Sequence, residues 1–370
     1  MRKLKGLSVL LIMIMIMIPF VSCTSNDGGG SDDEVSSQTP SDSALDEVSN
    51  PQEDDTEEYV APPRPDDSGK TMVRLGVLKG PTGIGAVNLI DKGAASMALN
   101  GYDVTLAGAP DEITSQILAG EIDIAAVPTN LASILYNKTE GQVQMLAINT
   151  LGVIHMLSTV VENIEDLPGH TIVMAGQGTV NEYAVRHILY MNGINPDEDV
   201  TLEFKTEHSE VASLFLAGEA DVVILPEPFA TQAITQKPND GLEDILFVTD
   251  LSAEWDKVEE TSKLAMGCVV VRKDFADNNL QAVKDFLTEY KESIDLANND
   301  IETTAQLCER YDIIKSSVAQ LAIPGCNMVY IDSTGDMQGV ITGFFEVLYH
   351  ANPESIGGNI PGEDFFFING

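Results

Sequence analysis

Five short segments hold hydrogen-bonding side chains, four of them beside glycine or proline: Lys79-Gly80-Pro81-Thr82-Gly83, Pro128-Thr129-Asn130, Asn149-Thr150, Gly176-Gln177-Gly178-Thr179 and Pro226-Glu227-Pro228. Together they carry hydroxyls, carboxamides, an ammonium and a carboxylate, with glycines that let main-chain amides approach a ligand closely. This inventory suits the reversible holding of a small molecule. It does not suit phosphate transfer: KGPTG lacks the GxxxxGK[ST] spacing, and GQGTVN is G-x-G without a third glycine. Covalent catalysis fares no better, because the chain has no GxSxG, no HExxH and no cysteine–histidine arrangement of a hydrolase. His155, His170, His187, His208 and His350 are scattered without metal-ligand spacing, and there is no CxxC, so neither a metal nor another cofactor is expected. Each residue also has a plain structural use: Thr82 and Thr179 as helix caps, the glycines as turns, Asn130 and Asn149 as turn formers, Lys79 and Glu227 as solvated charges. What lifts the set is where its segments fall.

The elements that must position them form a repeat. MVRLGVL alternates like a strand, IGAVNLIDKGAASMALNG has helical spacing with Gly101 as its stop, DVTLAG is a strand, PDEITSQILAG a helix and DIAAVP a buried strand. The same order returns as TIVMA, VNEYAVRHILYMNG, DVTLEF, SEVASLFLAG and DVVILP. LAGEIDIAAVPTN (118–130) and LAGEADVVILPEP (216–228) share six of thirteen residues, and the offset between copies drifts only from 96 to 98 residues. A repeat of that length is one α/β lobe rather than a solenoid unit. The predicted fold is therefore α/β with two lobes, each a mainly parallel sheet flanked by helices. Strong strand character returns in GCVVVRKDF, followed by the amphipathic helices LQAVKDFLTEYKESIDLANND, IETTAQLCERY and MQGVITGFFEVLYHAN, a tail expected to rejoin the first lobe. Residues 71–157 with 267–370 form lobe 1 and 158–266 lobe 2, with a two-stranded hinge crossing near 158 and 266. Ligands of parallel α/β sheets lie beyond the carboxyl ends of the strands. All five segments fall there, on one predicted face.

The flanking sequence sets the compartment. MRKLKGLSVLLIMIMIMIPFVSC has a basic start, an apolar run too short for a comfortable membrane span, and small residues before Cys23. Residues 1–22 read as a signal peptide, and FVSC resembles a bacterial lipobox with Cys23 as the lipidated residue. Residues 23–70, rich in Ser, Asp, Glu, Gly and Pro, read as a disordered acidic tether. With 58 acidic against 20 basic residues, the formal charge of −38 excludes nucleic acid as a partner. Cys268, Cys308 and Cys326 would remain in the mature chain, either as buried thiols or with Cys308 bridged to Cys326.

VRLGVLKGPTGIGAVNLID, ILAGEIDIAAVPTNLAS, AGQGTVNEYAVRHIL, LAGEADVVILPEPFAT and GCVVVRKDF, in this order and spacing, make residues 72–350 resemble the substrate-binding lipoproteins of ABC importers, in the nitrate/sulfonate/taurine and thiamine-pyrimidine group. The resemblance implies a type II periplasmic-binding-protein fold that closes on a small-molecule solute and delivers it to ABC permease transmembrane subunits. It implies a monomer outside the cytoplasm, anchored to the cell membrane through a lipid on Cys23, with no enzymatic activity. Solute contacts would fall in Lys79, Gly80, Thr82 and Gly83, in Thr129 and Asn130, in Asn149 and Thr150, in Gln177, Gly178 and Thr179, and at Glu227. Two departures stand out: the loops hold little basic character beyond Lys79, and the cysteine-rich motif of the eukaryotic pyrimidine-synthesising relatives is absent. The alternatives are a small-molecule lyase or dehydratase on the same fold, which the signal peptide disfavours, and a surface ligand sensor without a transport role.

Overall fold

The computed structural model describes residues 66–236 and 245–368, all within the compact unit Pro62–Gly370. The expected signal peptide, the expected lipidation residue Cys23 and nearly all of the expected tether lie outside these residues. In the first lobe the chain runs β1 (Met72–Leu78), α1 (Pro81–Ala94), β2 (Gly101–Ala107), α2 (Pro110–Leu118), β3 (Ile124–Pro128), α3 (Thr129–Lys138) and β4 (Val143–Thr150). The second lobe holds β5 (Ile154–Ser158), β6 (Thr171–Ala175), α4 (Val180–Met191), β7 (Thr201–Lys205), α5 (His208–Ala217), β8 (Val222–Pro226), α6 (Phe229–Gln236), β9 (Phe247–Asp250) and α7 (Leu251–Val258). The chain then returns through β10 (Gly267–Arg272), α8 (Lys273–Asn278), α9 (Leu280–Asn299), α10 (Ile301–Arg310), α11 (Ser316–Ala322), β11 (Met328–Ile331) and α12 (Met337–Ala351).

The sheets have the orders β11-β4-β10-β3-β1-β2 and β7-β6-β8-β5-β9. In each, the three strands of the repeat pair in parallel, β2-β1-β3 and β7-β6-β8, and the third strand then meets an antiparallel neighbour, β10 or β5. The all-apolar IAAV and VVIL runs belong in these positions because both faces of the strand are covered. The LAGE halves of the repeat are helix ends: Gly120 and Gly218 both take the left-handed conformation that closes a helix, with φ of 74° and 73°. The shared aspartates differ. Asp123 is buried and pairs with Arg74 and Arg272, whereas Asp221 is exposed.

Three expectations shift. Helix α1 ends at Ala94 rather than Gly101, because the following turn is held to α9 instead: Leu99 N–H donates to Glu289 Oε1 at 2.9 Å and Asn100 Nδ2 to the Ala282 carbonyl at 2.9 Å. The first crossing lies at residues 151–153 rather than near 158, since Ile154–Ser158 already pairs antiparallel with β8. The tail returns to the first lobe through α9 and α10, which pack on α1, and through β11, which pairs with β4, but α12 does not follow them. The apolar stripe of α12 lies against the second lobe, where Phe344 meets Trp255 of α7 edge-on at 5.5 Å and Asn352, just past its end, donates to the Tyr183 hydroxyl of α4 at 3.0 Å. Beyond it the chain comes back to the first lobe, where Phe367 N–H donates to Met145 O of β4 at 2.9 Å. Cys268, Cys308 and Cys326 are buried free thiols, so the bridge alternative is not formed.

Because Phe344 and Trp255 are fully buried, Phe344→Ala should leave a cavity between α12 and α7. A loss of about 3–5 kcal/mol is expected in urea unfolding, and a change below ~1 kcal/mol would show that α12 is not part of the second lobe's core.

Candidate functional site

The repeat brings the strand ends together around one cavity of about 520 Å³ between the lobes. Its wall is largely apolar: Leu78, Pro110, Leu131, Ile134, Val180 and Met266 are among the lining residues. Helices α1, α3, α4 and α5 all begin at this wall, through Pro81 and Thr82, Asn130, Val180 and Asn181, and His208. First-turn amides have no partner inside their own helix, so the helix starts supply N–H donors and a partial positive charge.

On the first lobe, Gly80 rather than Thr82 caps α1. It has φ of 105°, and Pro81 follows at the first helical position, where its missing N–H costs nothing. The Thr82 hydroxyl turns back to the Leu78 carbonyl at 3.0 Å. Gly83 is buried, and a Cβ there would come within 2.8 Å of the Leu78 carbonyl oxygen, so its lack of a side chain serves packing. Lys79 lines the cavity, but its ammonium is 2.7 Å from Asp312. Thr129 is fully buried and faces the hinge: its N–H donates to Met266 O at 3.1 Å and its hydroxyl to Ala265 O at 2.6 Å. Asn130 lines the cavity, with its amide 3.3 Å from the Ser355 carbonyl. Thr150 also lines it, while Asn149 sits behind, accepting from the Thr150 hydroxyl at 3.0 Å and donating to Tyr290 at 2.9 Å.

On the second lobe, the backbone N-cap of α4 is Thr179, but its hydroxyl donates to Gly176 O at 2.6 Å instead of accepting from the helix. Glu182, inside the helix, accepts instead from the Gly178 N–H just ahead of the cap at 2.7 Å, which leaves the first-turn amides free of it. Gly176 and Thr179 line the cavity; Gln177 and Gly178 are exposed and are not among the lining residues. Glu227 lines it and is only 7% exposed. Its carboxylate accepts from the Thr231 hydroxyl at 3.0 Å and the Thr231 N–H at 3.3 Å, and its own N–H donates to Val153 O at 2.8 Å. Burial pushes its pKa up. The nearby His155, whose Nε2 lies 3.5 Å from Oε1 without a hydrogen bond, and the bonds from Thr231 oppose that shift.

The expected residues thus divide. Lys79, Thr82, Asn130, Thr150, Thr179 and Glu227 meet at one cavity, whereas Gly80, Gly83, Thr129, Asn149, Gln177 and Gly178 are not in its lining. Pro110 and His208 are among the lining residues that the sequence reading did not single out. Pro110 follows β2 and His208 follows β7, so the strand-end rule that selected the loops after the first and third strands reaches them as well. His208 begins α5 with its ring 5.7 Å from Phe229; burial lowers its pKa, which favours the neutral ring, and its Nδ1 has no hydrogen-bond partner among the described residues. Among the described residues no group of His, Cys, Asp and Glu could hold a metal ion. No helix among them is long and apolar enough to cross a membrane.

Two lobes joined by a hinge, with a strand-end cavity between them, define a periplasmic-type solute-binding protein of the type II fold. The family model of the ABC transporter phosphonate periplasmic substrate-binding protein matches residues 98–317, and the chain belongs to that family. It is thus the extracytoplasmic substrate-binding component of an ABC transporter, working with that transporter's permease, and not an enzyme. Solved structures share the fold. An ABC transporter protein from Parabacteroides distasonis aligns over 81% of this chain and 100% of its own, at 20% identity and a TM-score of 0.67. The periplasmic aliphatic sulphonate binding protein SsuA from Escherichia coli aligns over 80% and 92%, at 13% identity and 0.61. A periplasmic sulfonate-binding protein SsuA from Methylobacillus flagellatus KT aligns over 77% and 87%, at 17% identity and 0.53. No curated protein sequence matches the chain.

The raised pKa of Glu227 means that the native state binds its proton more tightly than the unfolded chain does. This contribution to stability is full below the ordinary value of 4.5 and is lost as pH rises through the raised value. Glu227→Gln should therefore flatten the fall in unfolding free energy above pH 4.5, read from urea titrations at a series of pH values. Parallel pH profiles for the two proteins would show that the carboxylate titrates like an exposed one.

Proposed function

We propose that this chain captures one small organic solute in the interlobe cavity, by hinge closure, and presents it to the permease as a monomer tethered through a lipid on Cys23. The observation that carries the reading is the cavity: about 520 Å³, apolar-walled, and met by the starts of four helices and by Glu227. That size falls within the range that encloses small ligands, where apolar walls supply burial and a few polar groups set orientation. Lys79, the lining residue with a full positive charge, is engaged by Asp312. This supports a solute with a substantial apolar body, held by amide N–H groups, the Thr150 hydroxyl, Asn130, His208 and Glu227 more than by ion pairing. Pyrimidines, sulfonates, other small organic anions and aromatics are the classes to screen; the sulfonates named for related structures belong to those proteins. Closure follows when the solute stabilises the closed state over the open one.

The test is a thermal-shift and calorimetry screen of the purified chain against those classes. A true solute at a hundred times its Kd stabilises the fold by about 2.7 kcal/mol, and Leu131→Trp, which places bulk in the cavity wall, should abolish the shift. Stabilisation that survives Leu131→Trp would place the solute elsewhere, and no shift across the panel would remove these classes. For the anchor, Cys23→Ser should release the protein from the membrane fraction in the producing cell. Retention of that variant would assign the attachment to the residue 1–22 segment instead.

A further inference from the structure

The two lobes meet at a strip of first-lobe chain outside the cavity lining, Gly325-Cys326-Asn327, which runs from the last residue of a 3-10 turn (Ile323–Gly325) to the start of β11. Asn327 joins three parts of the molecule. Its carbonyl accepts the Leu151 N–H at 3.0 Å, and its side-chain amide donates to Gly152 O at 2.6 Å, so both bonds hold the first hinge crossing. The same amide donates to Asp250 Oδ2 of the second lobe at 3.0 Å, while Asp250 Oδ1 caps α7 by accepting from Ser252 N–H at 2.8 Å. Asn327 takes φ of 43°, a left-handed conformation that asparagine tolerates better than most residues. Two residues earlier, Gly325 lies against the Glu227 side chain: a Cβ there would come within 2.6 Å of Oε1 and 3.2 Å of Cγ and Cδ. Glu227 cannot easily yield, because it is buried and bound by Thr231. The neighbouring helices α11 and α6, one from each lobe, also pack together here.

We propose that this strip is the clasp of the closed state: Asn327 positions it on the hinge, and Gly325 provides the side-chain-free seat that lets the second lobe bring Glu227 home. The clasp rests on the closure reading above and deepens it, because solute affinity then depends on residues that do not touch the solute. A ligand shifts an open–closed equilibrium only by its preference for one state, so anything that weakens the closed state lowers apparent affinity by the same factor. Gly325 has an ordinary backbone conformation, so a side chain there acts through the collision alone.

The experiment needs no solute, so failure of the clasp and failure of the solute reading are separable. The full chain, with Cys23→Ser, carries spin labels at exposed Thr288→Cys in α9 and Ser213→Cys in α5. Pulsed dipolar spectroscopy then gives the interlobe distance distribution in the unliganded protein. Gly325→Ala, Gly325→Val and Asn327→Asp, the last setting a carboxylate against Asp250 and against the Gly152 carbonyl, should each move it to longer distances, the valine further than the alanine. Adding Asp250→Asn to Asn327→Asp should bring it part of the way back, since asparagine still caps a helix and can donate to the new carboxylate, while the repulsion from the Gly152 carbonyl stays. Far-UV circular dichroism and melting temperature separate opening from unfolding; should the valine variant not fold, the alanine and Asn327 variants carry the result. Distributions that stay on the parent's in folded Gly325→Ala and Asn327→Asp overturn the clasp, as does an opening of Asn327→Asp that Asp250→Asn leaves untouched.

Discussion

Everything in this molecule hangs on how the third strand of each repeat ends. Pro128 pairs with Gly267 of β10 and Pro226 with Ile154 of β5, so each exit proline lies beside a strand that begins at the hinge. The next residue is then tied to the hinge chain by its own N–H, Thr129 to Met266 O at 3.1 Å and Glu227 to Val153 O at 2.8 Å. Buried amides must find a partner, and here the partner is the hinge itself. The cavity wall and the hinge are consequently one hydrogen-bonded unit in each lobe. A rotation between lobes moves whole walls and leaves the geometry within each wall intact.

That construction explains the unequal roles of the two exit loops. In the first lobe the side chain after the proline also turns to the hinge, since the Thr129 hydroxyl reaches Ala265 O, and the cavity is left to Asn130 and Leu131. In the second lobe the corresponding side chain is Glu227, which lines the cavity and abuts Gly325 of the opposite lobe. A buried carboxylate with a raised pKa costs stability that a neutral side chain would not. Here that side chain faces both the cavity and the other lobe.

Much of this was legible in the sequence, because the repeat encodes it. Matching glycine helix ends, apolar third strands and exit prolines give two lobes of one topology, and the strand-end rule then points to the face where the interlobe cavity lies. The rule places a loop but not the direction of its side chains. Thr82, Thr129 and Asn149 sit in the expected segments, yet their polar atoms are consumed by Leu78, by the hinge and by Tyr290. Side-chain partners of that kind come from residues as distant as 265 and 290, which local patterning cannot reveal. The crossing at 151–153 was hidden for a related reason: β4 and β5 are both apolar strands, and Gly152 between them carries no charge or run of turn residues to mark a change of sheet. Helix α12 shows the apolar period of a core helix, but periodicity does not say against which lobe the stripe will pack. Asn327 gave no signal at all, since its importance lies in three contacts that exist only after folding.

The central claim is that the interlobe cavity holds a single small organic molecule. Native mass spectrometry of the full chain, purified without denaturation from cells grown in rich medium, tests it directly when paired with identification of what is released on unfolding. The account predicts one small molecule per chain, absent from Leu131→Trp, whose side chain would occupy the cavity. A small molecule retained in undiminished amount by that variant, or a chain that never carries one even after incubation with the same medium, would contradict it.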